Sequence, residues 1–171
     1  MIQLLLAGVH LRPWRRGDEE SLVQYANNRN IWINLDDLFP FPYTMEDARM
    51  WIQHCVVEKP ARHFAIVVRG QAVGGIGILL KEGIRRKTAE IGYWLGEEYW
   101  NRGITTEAVK AVTEYVFSNF DICRIQATVF SLNIASGRVL EKAGYTLEAS
   151  MKKGIIKDGS IIDELIYAVV R

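Results

Sequence analysis

Apolar and polar positions change period several times along the chain, and each change marks an element. Val9-His10-Leu11-Arg12-Pro13-Trp14 alternates as a half-buried strand does, and Asp18 then stands at an N-cap position before Leu22, Val23, Tyr25 and Ala26. Thr44 with Asp47 has the form of a capping box, and Ala48, Trp51, Ile52 and Cys55 carry a second helix to about Glu58. Between them Leu35 to Tyr43 is a proline-broken aromatic loop, too apolar to be idle surface. Phe64 to Val68, Ala72 to Leu80 and Ala89 to Leu95 read as an antiparallel meander, joined by the turn Arg69-Gly70-Gln71 and the polar loop Lys81 to Lys87. From Ile104, the residues Ala108, Ala111, Val112, Tyr115 and Val116 recur at helical spacing. Arg124 to Phe130 is rich in strand formers, and Asn133 to Ala143 predicts a helix closing on Gly144. Two strands near Tyr145 to Met151 and Ile161 to Val170 follow. The strand, helix and strand from Ala89 to Phe130 make a crossover long enough to join parallel neighbours.

The length of 171 residues matches about one domain, and no repeat or linker interrupts it, so residues 1–171 are read as a single domain. With 49% apolar and 24% charged residues the chain has the composition of a soluble globular protein with a sizeable core. Lysine plus arginine count 21 against 20 acidic residues, a net +1 that calls for neither nucleic acid nor an anionic membrane as partner. The opening apolar run, Leu4 to Ala7 with Val9, is far shorter than the ~20 residues of a spanning helix, and cytoplasmic residence is the expectation. Cys55 and Cys123 lie far apart and there are only three histidines, so neither a disulfide framework nor a zinc site is expected. Both cysteines read as buried thiols.

The segment richest in chemistry runs from Glu90-Ile91-Gly92-Tyr93-Trp94-Leu95 through Trp100-Asn101-Arg102-Gly103 into the helix that opens at Ile104. A helix start leaves N–H groups without intrahelical partners and carries partial positive charge, and Gly103 lets an anion approach the backbone. Three positions before Glu107 stands Ile104, so no capping box occupies these groups. An ordinary glycine turn before a surface helix has the same pattern, and physics alone leaves both readings open. Gly75-Ile76-Gly77 has no third glycine and no following helix, which excludes a dinucleotide fingerprint. Phosphate-loop, serine-hydrolase and metalloprotease motifs are absent, and no metal is expected.

The blocks Gly92 to Leu95, Trp100 to Ala108 and Asn133 to Tyr145 resemble the RimJ/RimL-like branch of the GNAT superfamily of N-acetyltransferases. Leu11 to Trp14 with Asp18, Tyr43-Thr44 with Glu46 to Ala48, and Asp158-Gly159 through Asp163 to Tyr167 extend the likeness over nearly the whole chain. The resemblance implies an α/β (α+β) fold: one mixed, twisted sheet of about seven strands, splayed at the cofactor strands, with helices on both faces. It implies acetyl-CoA as cosubstrate, held by Tyr93, Trp94, Leu95, Trp100, Asn101, Arg102, Gly103, Ile104, Thr105, Thr106, Asn133 and Ser136, with no metal. A primary amine, foremost a peptide or protein N-terminus, is the expected acceptor, reached by direct transfer, and the expected state is monomer or homodimer.

Glu90 is the candidate base, although an acidic residue at a strand start can equally be ion-paired, with Arg85, Arg86 and Lys87 near in sequence. Ser136 is the candidate acid, and its competing role is helix capping with Asn133. The tyrosine that the superfamily often carries seven residues after this asparagine is replaced by Leu140, and a glutamate that the branch uses as base falls on Ile155. On the acceptor side, Asp36 and Asp37 could attract an amine and Phe39 and Phe41 could contact it, or the four are loop surface and packing. Asp163 and Tyr167 fit buried hydrogen bonding as well as catalysis. Alternatives are a polyamine, amino-acid or aminoglycoside acetyltransferase, or an acyl-CoA-binding module without turnover.

Overall fold

A computed structural model describes residues 2–4 and 6–171; Met1 and Leu5, the latter within the opening apolar run, lie outside the described residues. Among these, the strands β1 (Ile2–Gln3), β2 (Val9–Pro13), β3 (His63–Val68), β4 (Gln71–Leu80), β5 (Thr88–Leu95), β6 (Arg124–Phe130), β7 (Thr146–Lys157) and β8 (Ser160–Val170) form one sheet in the order β1-β2-β3-β4-β5-β6-β8-β7. The helices are α1 (Glu19–Ala26), α2 (Arg29–Trp32), α3 (Met45–Cys55), α4 (Ile104–Asn119) and α5 (Ile134–Lys142). None is long and apolar enough to cross a membrane.

The predicted meander is β3-β4-β5, and β5 and β6 are the parallel pair that the α4 crossover requires. Their ladder covers only Thr88–Glu90 against Arg124–Gln126. Beyond it the two strands part, opening the sheet at its middle. The eighth strand, absent from the sequence reading, is the two-residue β1 on the edge of β2.

Both faces of the sheet are covered, and β3 explains why its sequence is apolar throughout. Phe64 and Ile66 join the core with Val109, Val112 and Val116 of α4, whereas Ala65 and Val67 join Leu22 of α1 and Ile52 of α3 on the opposite face. The Thr44–Asp47 capping box starts α3, which ends at Cys55 rather than about Glu58. The hairpin turn at Asp158-Gly159 has φ of 49° and 75°, which an Asp-Gly pair adopts readily, and it extends β7 beyond the expected Met151 to Lys157.

Two expectations are corrected and one element is added. Asp18 sits at the N-cap of α1 but caps nothing with its side chain, because its carboxylate faces the guanidinium of Arg12. The four-residue α2, too short to give a periodic signal, starts where Asn28 accepts the N–H of Asn30. Cys123 is exposed at the start of β6; only Cys55 is buried, and burial pushes its thiol up to about 12.

Candidate active site

The gap between β5 and β6 opens into a cavity of about 490 Å³ walled by β5, the α4 start, β6 and α5. Every residue that the sequence reading placed at the cofactor lines it: Tyr93, Trp94, Leu95, Trp100 to Thr106, Asn133 and Ser136. At its end lies the start of α4, whose N-cap Gly103 has φ 74° and offers no side-chain cap. Asn101, two residues earlier, is also left-handed at φ 59°. From Asn101 to Thr106 no backbone N–H makes a hydrogen bond among the described residues. Left-handed residues beside a helix start can turn such N–H groups toward one side, the form of an anion-binding nest, and the helix dipole adds to it.

Cations line the same cavity: Arg102, whose guanidinium donates to the carbonyl of Glu98 at 2.7 Å, and Arg138 and Lys142 of α5. Sequence reasoning missed the α5 pair, which looks like an ordinary solvated helix face until α5 is packed beside α4. Arg85, Arg86 and Lys87 lie outside the cavity: Lys87 pairs with Asp121, and Arg86 turns back to the carbonyl of Gly83.

At the cavity's inner end the hydroxyls of Tyr93 and Ser136 are 2.8 Å apart. Asn133 caps α5 by accepting the N–H of Ser136 at 3.1 Å, so the Ser136 hydroxyl is not spent on capping. Burial pushes the Tyr93 phenol well above its usual value, and it keeps its proton at neutral pH. Beyond the ladder's end at Glu90, the edge of β5 that faces β6 carries backbone groups with no strand partner, apart from the Leu95 carbonyl, which accepts the Trp100 indole N–H at 2.7 Å.

A second cavity, of about 830 Å³, meets the first across Gly92, Tyr93 and Trp94. Trp14, Phe39, Tyr43 and Trp51 give it an aromatic wall, and Asp36, Asp47, Glu90 and Glu164 put carboxylates in it. Glu90 is ion-paired, as one of the two readings expected, but with Lys81 at 2.5 Å; its other oxygen accepts the Thr128 hydroxyl at 3.3 Å. The partner differs because the β4–β5 register puts Leu79 opposite Glu90 and brings the end of β4 beside it.

The four acceptor-loop residues divide. Asp36 and Phe39 line the second cavity, Asp36 accepting the N–H of Leu38 and Phe39 packing on Tyr43 and Trp94. Asp37 and Phe41 do not line it: Asp37 pairs at 2.7 Å with the buried Lys157, and Phe41 stacks on Trp32. These contacts tie the loop to the β7–β8 hairpin. Asp163 accepts the N–H of Lys153 where β7 bulges, and Tyr167 packs on Gly137 while donating to Glu141, so both have structural partners.

Comparison with known proteins agrees with this architecture. The model for the acetyltransferase (GNAT) domain matches residues 9–146. The chain is 31% identical over 95% of its length to the Bacillus subtilis (strain 168) protein named "Probable N-acetyltransferase YjcK", covering 93% of it. It is 27% identical to the ribosomal-protein-serine acetyltransferase of Escherichia coli (strain K12), covering 87% of this chain and 85% of that one. The structure of RimL, a ribosomal L7/L12 alpha-N-protein acetyltransferase, in complex with coenzyme A superposes with a TM-score of 0.84 at 24% identity, covering 97% of this chain and 96% of that one.

Proposed function

This chain belongs to the GNAT acetyltransferase family and is an acetyl-CoA-dependent N-acetyltransferase; from that premise we propose that it acetylates a peptide or protein N-terminal amine by direct transfer. The observation that carries the reading is the unpartnered run of N–H groups from Asn101 to Thr106, facing a cavity that joins a second, carboxylate-bearing one across β5. Acetyl-CoA supplies the acetyl group as a thioester, already activated for attack by an amine.

The residues of the chain divide the work. The nest around Gly103, with Arg102, Arg138 and Lys142, suits a pyrophosphate. Tyr93, Trp94 and Leu95 wall the path of the pantetheine arm, and the unladdered edge of β5 offers backbone N–H groups to the acyl oxygen. Loss of one such donor typically costs 10²- to 10³-fold in rate. Ser136, hydrogen-bonded to the protonated Tyr93 phenol and fixed by Asn133, is the proton source for the leaving sulfur. Tyr93 thereby brings a phenol to the site although Leu140 stands where the family often has one. Glu90, with both oxygens engaged, serves as a fixed negative charge that draws an ammonium into the second cavity.

Amine chemistry favours an N-terminus. An α-amino group of pKa ~7.8 costs about 1 kcal/mol to deprotonate at pH 7, whereas a lysine-type amine at ~10.4 costs about 4.6 kcal/mol. The activity named for the Escherichia coli relative, a ribosomal-protein-serine acetyltransferase, points the same way. The test is release of free CoA thiol from acetyl-CoA with a panel of peptides, polyamines, amino acids and aminoglycosides. Peptides with a free N-terminus should give the highest kcat/KM and the same peptides with blocked N-termini none. A polyamine or aminoglycoside exceeding every peptide would overturn the assignment.

A further inference from the structure

One group of ionisable side chains in the second cavity plays no part in the account above. His63, the first residue of β3, donates or accepts through Nδ1 at 2.7 Å from Oε1 of Glu58, and both His63 and His54 line the cavity. Glu58 lies in the connection after α3 with its side chain only 2% exposed. Its Oε2 accepts the backbone N–H groups of Arg62 and His63, and the Arg62 guanidinium stands 3.3 Å from Oε1. A carboxylate held by so many donors stays ionised, and the hydrogen it accepts from the imidazole fixes the tautomer with the proton on Nδ1. The other ring nitrogen, Nε2, is then an acceptor that makes no hydrogen bond or ion pair among the described residues; His54 Nε2 stands 3.7 Å from the same carboxylate.

The sheet register aims this imidazole. His63 is opposite Gly77 on β4, and Gly77 is opposite Gly92 on β5, so all three point to one face of the sheet. Neither glycine has a side chain to block the way. The ring lies on Gly77 so closely that a Cβ there would come 2.2 Å from His63 Cδ2, while a Cβ on Gly92 would meet nothing within 4 Å. Two strand spacings, roughly 10 Å, separate the backbones of His63 and Gly92, and the ring spans part of that distance. Trp51 of α3 meets the ring edge-on from above, at 4.9 Å between centroids.

We propose that His63, positioned by Glu58, is the general base that takes the proton from the acceptor ammonium, directly or through one water. The proposal rests on the N-acetyltransferase reading of the two cavities. An N–H bond of the ammonium breaks and its proton passes to Nε2. The freed lone pair forms the C–N bond to the acetyl carbon as the C–S bond breaks. The amine's second proton reaches the sulfur by way of the Ser136 hydroxyl, and the imidazolium returns its proton to water. Net, an ammonium and a thioester give an amide, a thiol and one proton.

The charged surroundings suit the task. Burial, against the opposing pull of Glu58, holds His63 below its usual value, with His54 and Arg62 adding in the same downward sense, so it is neutral at pH 7. The sheet side contributes only Gly77 and Gly92 beside the ring, and the other ionisable groups of the cavity are the carboxylates of Asp36, Asp47, Glu90 and Glu164 and the phenols of Tyr43 and Tyr93, which burial keeps protonated. Burial would raise Glu58, but the N–H of Arg62, the charge and hydrogen bond of His63 and the Arg62 guanidinium outweigh it and hold the carboxyl low. His54, Glu58 and His63 also bring potential metal-binding atoms within 4.8 Å of one another, a grouping that sequence spacing did not reveal. The donors already on Glu58, one of them a guanidinium, favour an imidazole over a cation there.

The test uses His63→Gln and Glu58→Gln in the full chain, with two readouts. In thiol release at saturating acceptor, wild-type kcat should rise with pH along a limb below about 6.5, the ordinary histidine value. His63→Gln should lose that limb and about 10²- to 10⁴-fold in kcat, keep its CoA affinity by calorimetry, and regain rate with added imidazole. Independently of turnover, the His63 imidazole followed by NMR should titrate below the ordinary value, and lower still in Glu58→Gln, where the group that raises it is gone. A His63→Gln enzyme as fast as an active wild type would overturn the proposal and leave the acetyltransferase reading intact. A wild type silent with every amine would overturn both. Zinc alone binding by calorimetry, with turnover abolished by a chelator, would make the cluster a metal site instead.

Discussion

Arg12→Met is expected to be the most destabilising single change in the chain, at about 3–5 kcal/mol. Arg12 and Asp18 form a two-pronged pair, 2.7 Å on each arm, with side chains 9% and 7% exposed. The pair joins β2 to the start of α1, and Asp18 also accepts the N–H of Arg15. Removing the guanidinium leaves a buried carboxylate with the Arg15 N–H as its one hydrogen-bond donor and the exposed Arg15 guanidinium 4.0 Å away as its only cation among the described residues, and the cost is that of a poorly compensated charge rather than of the pair's modest net worth. For a chain of this length the midpoint of thermal unfolding should fall by roughly 6–20 °C. The double variant Arg12→Met with Asp18→Leu removes both charges and should recover most of the loss. Unfolding curves in urea decide: a single variant within 1 kcal/mol of wild type would mean that water reaches Asp18.

Gly103→Val should have the largest effect on cofactor affinity, raising the Kd for CoA about 10- to 100-fold while leaving the fold in place. A Cβ added here meets no protein atom within 4 Å, so the effect starts from the backbone conformation. At φ 74° a β-branched residue is strained by about 1–2 kcal/mol, and relief of that strain turns the neighbouring N–H groups away from a common point. Losing one charge-assisted hydrogen bond costs about 1.5–3 kcal/mol, which is the predicted range. Gly103→Asn is the control, since asparagine tolerates the left-handed region and should keep most of the affinity. Calorimetric titration with CoA distinguishes the two; equal, undiminished affinity for both variants would remove the nest from the account.

What the sequence made legible was whatever is encoded locally. The Thr44–Asp47 box, the uncapped start at Gly103 and the crossover from Ala89 to Phe130 each depend on residues close in the chain, and each stands where the pattern put it. What it hid depends on register and packing. The partner of Glu90 is settled by the pairing of β4 with β5, and nearness in sequence pointed to the wrong cations. Arg138 and Lys142 become cavity residues only through the approach of α5 to α4. His63 and Glu58 lie on a strand and in a loop, so no helical or strand period links them, and the glycines that clear a path for the ring sit on two other strands. Asp18 shows the reverse error, a correct position with its side chain committed to a residue on the preceding strand.

The claim on which the rest depends is that the unpartnered amides from Asn101 to Thr106 hold the cofactor. Its most direct measurement is the ¹H–¹⁵N correlation spectrum of the labelled protein during titration with CoA. The account predicts that the amides of Gly103, Ile104, Thr105 and Thr106 move furthest, downfield as they take up hydrogen bonds to a phosphate, with Tyr93 to Leu95 moving next. Saturation with CoA while these amides stay fixed and others shift would place the cofactor elsewhere and contradict the account.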